Sequence, residues 1–304
     1  MPLRAVARSC RTIQQRGRRR SPVLVLAALG LCAPTASASA TEPTGGASPV
    51  FPAVTSPPAG VIAAEIRKHK VFFGARRPAE LSYVVAGSEP AEVHVELVRT
   101  RDEATIAEWT RGGVEPGVVQ TIRWNGIAGG KLQKDGVYAF RVTAPGAVAA
   151  SNQGPAVPEP PSAFTFLRHR FPVAGAHRYG KGAATFGGGR GHQGHDVFAA
   201  CGTPIVAARG GVVQFKQYQS AAGHYVVIDG ARTSVDFAYM HLREAALVDA
   251  GDRVKTGQLI GFVGATGRAS GCHLHFEQWT APGWYSGGRP FDPLPDLRTW
   301  DAHS

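Results

Sequence analysis

The sequence predicts an all-β protein in two consecutive modules, a small antiparallel β-sandwich followed by a second, antiparallel β-sheet domain. Three observations carry this. Gly (38) and Pro (22) make up about a fifth of the 304 residues, against roughly 12 % on average, so the chain turns often. Short runs of period-two alternation recur, VHVELV at 93–98 and VYAFRV at 137–142 being the clearest. No strand followed by a long amphipathic helix recurs, which argues against a doubly wound α/β fold. The length suits two ordinary domains, and 43 % hydrophobic with 18 % charged residues excludes wholesale disorder.

The first element is an export signal at 1–40. Residues 1–21 hold Arg4, Arg8, Arg11, Arg16, Arg18, Arg19 and Arg20 and no acid, and PVLVLAALGLCA follows at 22–33. Ala38-Ser39-Ala40 supplies the small-x-small site of a signal peptidase. The apolar run is shorter than the roughly 20 residues a membrane-spanning helix needs, so no mature membrane span is expected. The net charge of +11 suggests an anionic partner such as nucleic acid or a wall polymer. Seven of the 33 basic residues leave with the signal, however, so 26 face 22 acidic ones in the mature chain. Export also removes cytosolic nucleic acid as a partner. The protein is expected outside the cytoplasm: extracellular, in the cell wall or in a bacterial periplasm.

Residues 41–61 are mostly Pro, Ser, Thr, Gly and Ala without an apolar period, and read as a tether. Residues 62–144 form the sandwich, with strands expected at 80–86, 92–98, 104–109, 117–124 and 136–143 between turn clusters such as GSEP and RGGVEPG. His69 and His94 stand alone here and read as surface histidines. A second Pro-rich linker covers 145–163, and the last domain spans 164–298. Its strands are expected at 203–208, 211–216, 224–229, 234–240, 258–263 and 272–279, with a short helix over 243–251 (REAALVDAG).

Cys10 and Cys32 leave with the signal, so Cys201 and Cys272 remain. In an oxidising compartment their simplest fate is one disulfide; two free buried thiols are the alternative. Neither belongs to a CxxC pair, which disfavours a zinc knuckle.

Chemistry concentrates in three short motifs. HQGHD places His192 and Asp196 four residues apart, on one side of a helix or a strand, with Gly194 favouring an extended course. YMHL ends a run of β character at His241. HLHFE puts His273 and His275 on one face of a strand, about 6.6 Å apart, with Leu274 and Phe276 toward the core. A lone histidine is usually structural. The three motifs together fit a catalytic metal centre, in which three N/O ligands leave a position open and further histidines move protons.

At these residues a resemblance enters. FPVAGAHRYG, FGGGRGHQGHDVFAACGTPIVAARGGVV, YMHL and GDRVKTGQLIGFVGATGRASGCHLHFE, nearly continuous over 171–279, are similar to lysostaphin-type zinc metallopeptidases that cut peptidoglycan peptides. The resemblance implies one Zn2+ held by His192, Asp196 and His275, and catalytic roles for His241 and His273. It implies hydrolysis of a peptide bond in peptidoglycan stems or cross-bridges. His195 departs from the family pattern, where an apolar or small residue is usual. Strand alternation points it away from Asp196, toward a supporting or surface role, with replacement of a ligand as the alternative. Cys201–Cys272 would tie the ligand-bearing segments together. In the first module, WNGIAGGKLQKDGVYAFRV at 124–142 resembles the immunoglobulin-like domain of flagellar hook-capping proteins. That implies an immunoglobulin-like sandwich, which could bind wall, bind a partner or cover the catalytic groove as a regulator.

Three rivals are weaker. GGVV with GDRVKTGQLIGFVG also resembles biotinyl and lipoyl carrier repeats, but no lysine sits at a suitable hairpin tip. GFVGATG lacks the GK[ST] of a phosphate loop. A catalytically silent peptidoglycan-binding protein, or an activator of another wall hydrolase, would typically have lost ligands, and all are present.

Overall fold

The computed structural model describes residues 60–144, 162–189 and 191–304. The expected export signal, most of the tether and most of the linker lie outside the described residues. Among those described, no helix is long and apolar enough to cross a membrane.

The first module contains β1 (Gly60–Ile66), β2 (Lys70–Phe72), β3 (Ala79–Ala86), β4 (Ala91–Arg99), β5 (Ala104–Val114), β6 (Gln120–Trp124), the short pair β7 (Ile127–Ala128) and β8 (Lys131–Leu132), β9 (Gly136–Thr143) and β10 (Ala163–Leu167). Three strands in the order β1-β3-β6 face five in the order β2-β10-β9-β4-β5. Alternation along β3 buries Leu81, Tyr83 and Val85, and along β4 Val93, Val95 and Leu97. These meet Trp124, Tyr138, Phe140, Phe164 and Phe166 in one core. Gly60 and Val61, expected in the tether, already belong to β1. Residue 164, the expected start of the last domain, falls inside β10, which pairs antiparallel with β9 and parallel with β2.

The second module contains β11 (His177–Tyr179), β12 (His195–Ala199), β13 (Pro204–Val206), β14 (Gly211–Gln219), β15 (Gly223–Gly230), β16 (Val235–Leu242), β17 (Arg253–Val254), β18 (Leu259–Phe262), β19 (His273–Thr280), β20 (Pro290–Phe291) and α1 (Leu294–Asp301). Its main antiparallel sheet runs β11-β12-β19-β16-β15-β14-β17, with β20 also on β19, and β13 and β18 pair separately. One face of the sheet packs over Val197, Ile228, Phe237, Tyr239, Leu274 and Phe276. The other carries the groove described below.

The expected helix over 243–251 is absent. Arg243 N–H donates to Phe262 O and Leu247 N–H to Ile260 O, so the segment runs alongside β18. Ala246 and Val248 are buried while Leu247 is 53 % exposed, a period-two pattern. The helix that does form, α1, buries Leu297 and Trp300, three residues apart, against the sheet.

Two side chains, one buried and one half-buried, join the modules. Arg209, 1 % exposed, donates to Arg168 O and Ala231 O at 2.7–2.9 Å and lies over the Phe73 ring at 4.4 Å. Burial lowers its pKa to about 10. His169 stacks on Trp300 at 4.7 Å. Burial, aided by Arg209 and Arg168, pushes His169 down to about 3. A histidine depressed in the fold stabilises it above pH 6.5, its ordinary value, and that stability is lost as pH falls toward 3. For a ring that keeps some solvent contact the loss is on the order of 2 kcal/mol. His169→Phe is therefore expected to flatten the melting temperature between pH 6.5 and pH 4 relative to the parent; equal slopes would refute it.

Candidate active site

Alternation along β19 sends Leu274 and Phe276 into the core and His273, His275, Glu277 and Trp279 to the opposite face. On β12, Asp196 is the cross-strand partner of His275 and Phe198 that of His273. Paired residues share a face, so Asp196 stands beside both histidines. By the same rule His195, paired with Phe276, faces the core. His192 arrives from the loop preceding β12. Gly194 lets that loop approach β19, because a Cβ there would lie 2.3 Å from Phe276 O and 2.9 Å from both His275 Nε2 and Glu277 Cγ.

His241 reaches the same face by a different device. On β16, Phe237 and Tyr239 face the core, so strict alternation would send His241 there too. Between the pairs Val226↔Tyr239 and His224↔Leu242, β16 carries one residue more than β15, a bulge. His241 takes φ 61°, in the left-handed region, and its ring turns to within 4.7 Å of the His273 ring. A non-glycine residue in this conformation costs on the order of 1 kcal/mol and is held by its surroundings.

Hydrogen bonds fix which nitrogen of each ring faces the groove, since a carbonyl only accepts. Nδ1 of His192 donates to Gly194 O at 2.9 Å, of His241 to Thr266 O at 2.8 Å, and of His273 to Gly271 O at 2.8 Å. Their Nε2 atoms are left to face the groove, that of His192 against the Asp196 carboxylate. His275 is reversed: Nε2 donates to Glu277 Oε1 at 3.0 Å and Nδ1 faces Asp196 Oδ1 at 2.9 Å. His192 Nε2 is 3.1 Å from that same oxygen, and His273 Nε2 is 3.7 Å from it.

Burial is the largest influence on these groups, and for Asp196 it is overcome. Burial alone would raise it, but hydrogen bonds from His192 and His275 hold it well below the usual carboxylate range. Burial likewise would lower His275, yet its bonds to Asp196 and Glu277 lift it to about 9. Glu277 is lowered despite its burial, first through His275. His241 is pushed down to about 4 by burial, so its imidazole is neutral near pH 7.

His192, Asp196 and His275 thus each offer one donor atom, all within 4.8 Å of one another. Two imidazole nitrogens and a carboxylate oxygen make the donor set of a catalytic zinc site with an open side. Both rings commit their other nitrogen to a protein acceptor, as metal-bound histidines do. The set fits a zinc ion.

The centre lies on the floor of an open groove of about 960 Å³. Its lining also includes Ala183, Gly189, Arg268, Ser270, Trp284 and Tyr285. His192, Asp196, His241, His273 and His275 all line it, and the expected disulfide joins the chain beside β12 and β19. Cys201, just after β12, is bonded to Cys272, just before β19, with Cα atoms 5.2 Å apart. A surface position for His195 is ruled out: it is 0 % exposed, T-shaped against Tyr179 at 5.8 Å, and without a hydrogen-bond partner among the described residues. It faces away from the groove, so it cannot replace a ligand, and burial lowers its pKa. Sequence reasoning missed Glu277. Its signal was the continued alternation His273, His275, Glu277, Trp279.

A family model described as peptidase family M23 matches residues 190–293. Peptidoglycan DD-endopeptidase ShyC of Vibrio cholerae serotype O1 is 48 % identical over 86 residues, covering 28 % of this chain and 19 % of that protein. Glycyl-glycine endopeptidase ALE-1 of Staphylococcus capitis is 36 % identical over 126 residues, covering 40 % and 33 %. The chain thus spans about a fifth to a third of the length of these relatives. Among solved structures, the catalytic domain of lysostaphin from Staphylococcus simulans shares 31 % identity over 40 % of this chain and 92 % of that one, with a TM-score of 0.36. Over residues 190–293, then, this chain is similar to peptidase family M23.

Proposed function

We propose that the protein is an exported, zinc-dependent endopeptidase that hydrolyses peptide bonds in peptidoglycan stems or cross-bridges. The observation that carries this reading is the convergence of His192, Asp196 and His275 within 4.8 Å, with two more histidines beside them, on the floor of an open groove. Related proteins named as peptidoglycan endopeptidases supply the substrate class.

The roles follow from which atoms are free. His192, Asp196 and His275 would hold zinc, which when bound polarises the scissile carbonyl and acidifies the attacking water. His273, with Nδ1 committed to Gly271, offers Nε2 to take a proton from the water and return it to the leaving amine. His241, with Nδ1 committed to Thr266 O, presents an unprotonated Nε2 to the groove, where it can accept a hydrogen bond from the attacking water and orient it. The groove, at about 960 Å³, leaves room for a stretch of peptide over these residues. We assign the first module the role of binding wall or a partner, or of contacting the groove as a regulator, on the strength of the hairpin resemblance at 124–142.

The test is digestion of purified sacculi and of muropeptides with defined cross-bridges. New amino termini should appear with zinc-loaded protein, vanish with a chelator and return on adding zinc. His192→Ala and His275→Ala should both be inactive. Cleavage by metal-free protein would defeat the mechanism. Zinc-loaded protein that releases nothing from any sacculus type would favour the silent binding protein or activator.

A further inference from the structure

We propose that Glu277 and the dipeptide Trp284–Tyr285 form a positioning device for the metal ligands, tying both ligand-bearing segments to the loop over 281–288. The inference rests on the zinc reading above.

The argument starts from His275. Only one nitrogen of an imidazole can face an ion, so the other must donate, and its acceptor fixes the ring's rotation. Here that acceptor is Glu277 Oε1, at 3.0 Å. Glu277 is 3 % exposed. A carboxylate so buried holds its charge only if its oxygens are well satisfied. The second oxygen, Oε2, accepts from two indoles, Trp279 Nε1 at 2.7 Å and Trp284 Nε1 at 3.0 Å. Trp279 belongs to the same strand face, so it comes with β19. Trp284 does not. It is delivered by the loop, which is pinned where Trp284 N–H donates to Asp236 Oδ2 at 2.8 Å. Gly283, at φ 122°, admits this approach, since a Cβ there would lie 2.7 Å from the same carboxylate oxygen.

The next residue serves the other ligand segment. Tyr285 is 63 % exposed, yet its hydroxyl donates to Oε1 of Gln193, the neighbour of His192, at 2.5 Å. Consecutive side chains on an extended backbone diverge. Tyr285 takes φ 48°, and its ring lies 4.7 Å from Trp284 and 4.6 Å from Trp279. A left-handed backbone at a bulky residue is held by its neighbours rather than by its own preference. Two adjacent residues therefore brace both metal-ligand segments, Trp284 through Glu277 to His275 and Tyr285 through Gln193 to His192. Because they also wall the groove, the device joins metal retention to the substrate surface.

The experiment measures zinc affinity of the purified protein by competition with a chromogenic chelator, for the parent and for Glu277→Gln, Trp284→Phe and Tyr285→Phe. Glu277→Gln keeps the shape but loses the charge, and is expected to weaken zinc binding about 10- to 100-fold. Trp284→Phe keeps the ring but loses the donor, and is expected to weaken it several-fold, with Tyr285→Phe weaker still in effect. Zinc added to the metal-free parent should change tryptophan emission, and Trp284→Phe should abolish most of that change. Excess zinc should restore turnover to Glu277→Gln with KM unchanged, which a merely structural role would not produce. Near-ultraviolet circular dichroism of the metal-free proteins establishes folding; Trp284→Phe carries the test if Glu277→Gln does not fold. Parent-like zinc affinity in folded variants overturns the positioning device alone. A parent that binds no zinc overturns the zinc reading and this inference with it.

Discussion

Replacing His241 by asparagine is expected to lower kcat on a cross-linked muropeptide about 10²- to 10⁴-fold while one zinc stays bound per chain. Asparagine suits the test because it tolerates the left-handed backbone that His241 adopts at φ 61°, so the bulge in β16 can persist. What disappears is Nε2, the atom aimed at the groove once Nδ1 is committed to Thr266. The measurement pairs turnover at saturating zinc with the metal content of the same sample. His192→Ala serves as the contrast, since it should lose metal and activity together. Zinc loss in His241→Asn would make His241 a ligand; retained turnover would remove it from the chemistry.

Opening the Cys201–Cys272 bridge is expected to cost about 4 kcal/mol, the chain-entropy value for a loop of this length. The sequence separation is 71 residues, and the closed loop holds β13 through β18. In a chain of this size the melting temperature should fall by roughly 10 °C. The loss should extend to the metal centre, because Cys272 directly precedes His273 and Cys201 closes the turn after the strand bearing Asp196. Cys201→Ser/Cys272→Ser protein should therefore melt lower and surrender zinc at lower chelator concentration than the parent. A double variant that melts with the parent would show that the bridge contributes nothing to stability.

Much of the second module was legible because its signals are local. The period-two rule places His273 and His275 on one face, and HQGHD sets Asp196 on the strand that pairs with them. What escaped was non-local. His241 turns toward the groove only because β16 holds one residue more than its neighbour, and no local pattern marks that mismatch. Glu277 stood in plain alternation, but its role depends on an indole arriving from another loop. REAALVDAG has helical propensity, yet its backbone bonds go to β18, and tertiary pairing overrides propensity. His195 was read correctly as facing away from Asp196. Its burial required knowing that Phe276 lies opposite.

Arg209 sets a limit on how freely the parts of this chain can be exchanged. Its guanidinium needs acceptors on both sides of the junction, Ala231 within the second module and Arg168 at the end of the first, and it rests on Phe73 of the sandwich. A fragment beginning at residue 171 would retain every groove residue named above but lack Arg168 and Phe73. The cation would remain, stripped of one acceptor and of the ring beneath it. Modules that recombine readily meet through solvated linkers and surfaces tolerant of any neighbour. Here a single side chain makes one module's interior depend on the other, so a transplanted second module would need its arginine replaced along with its partner.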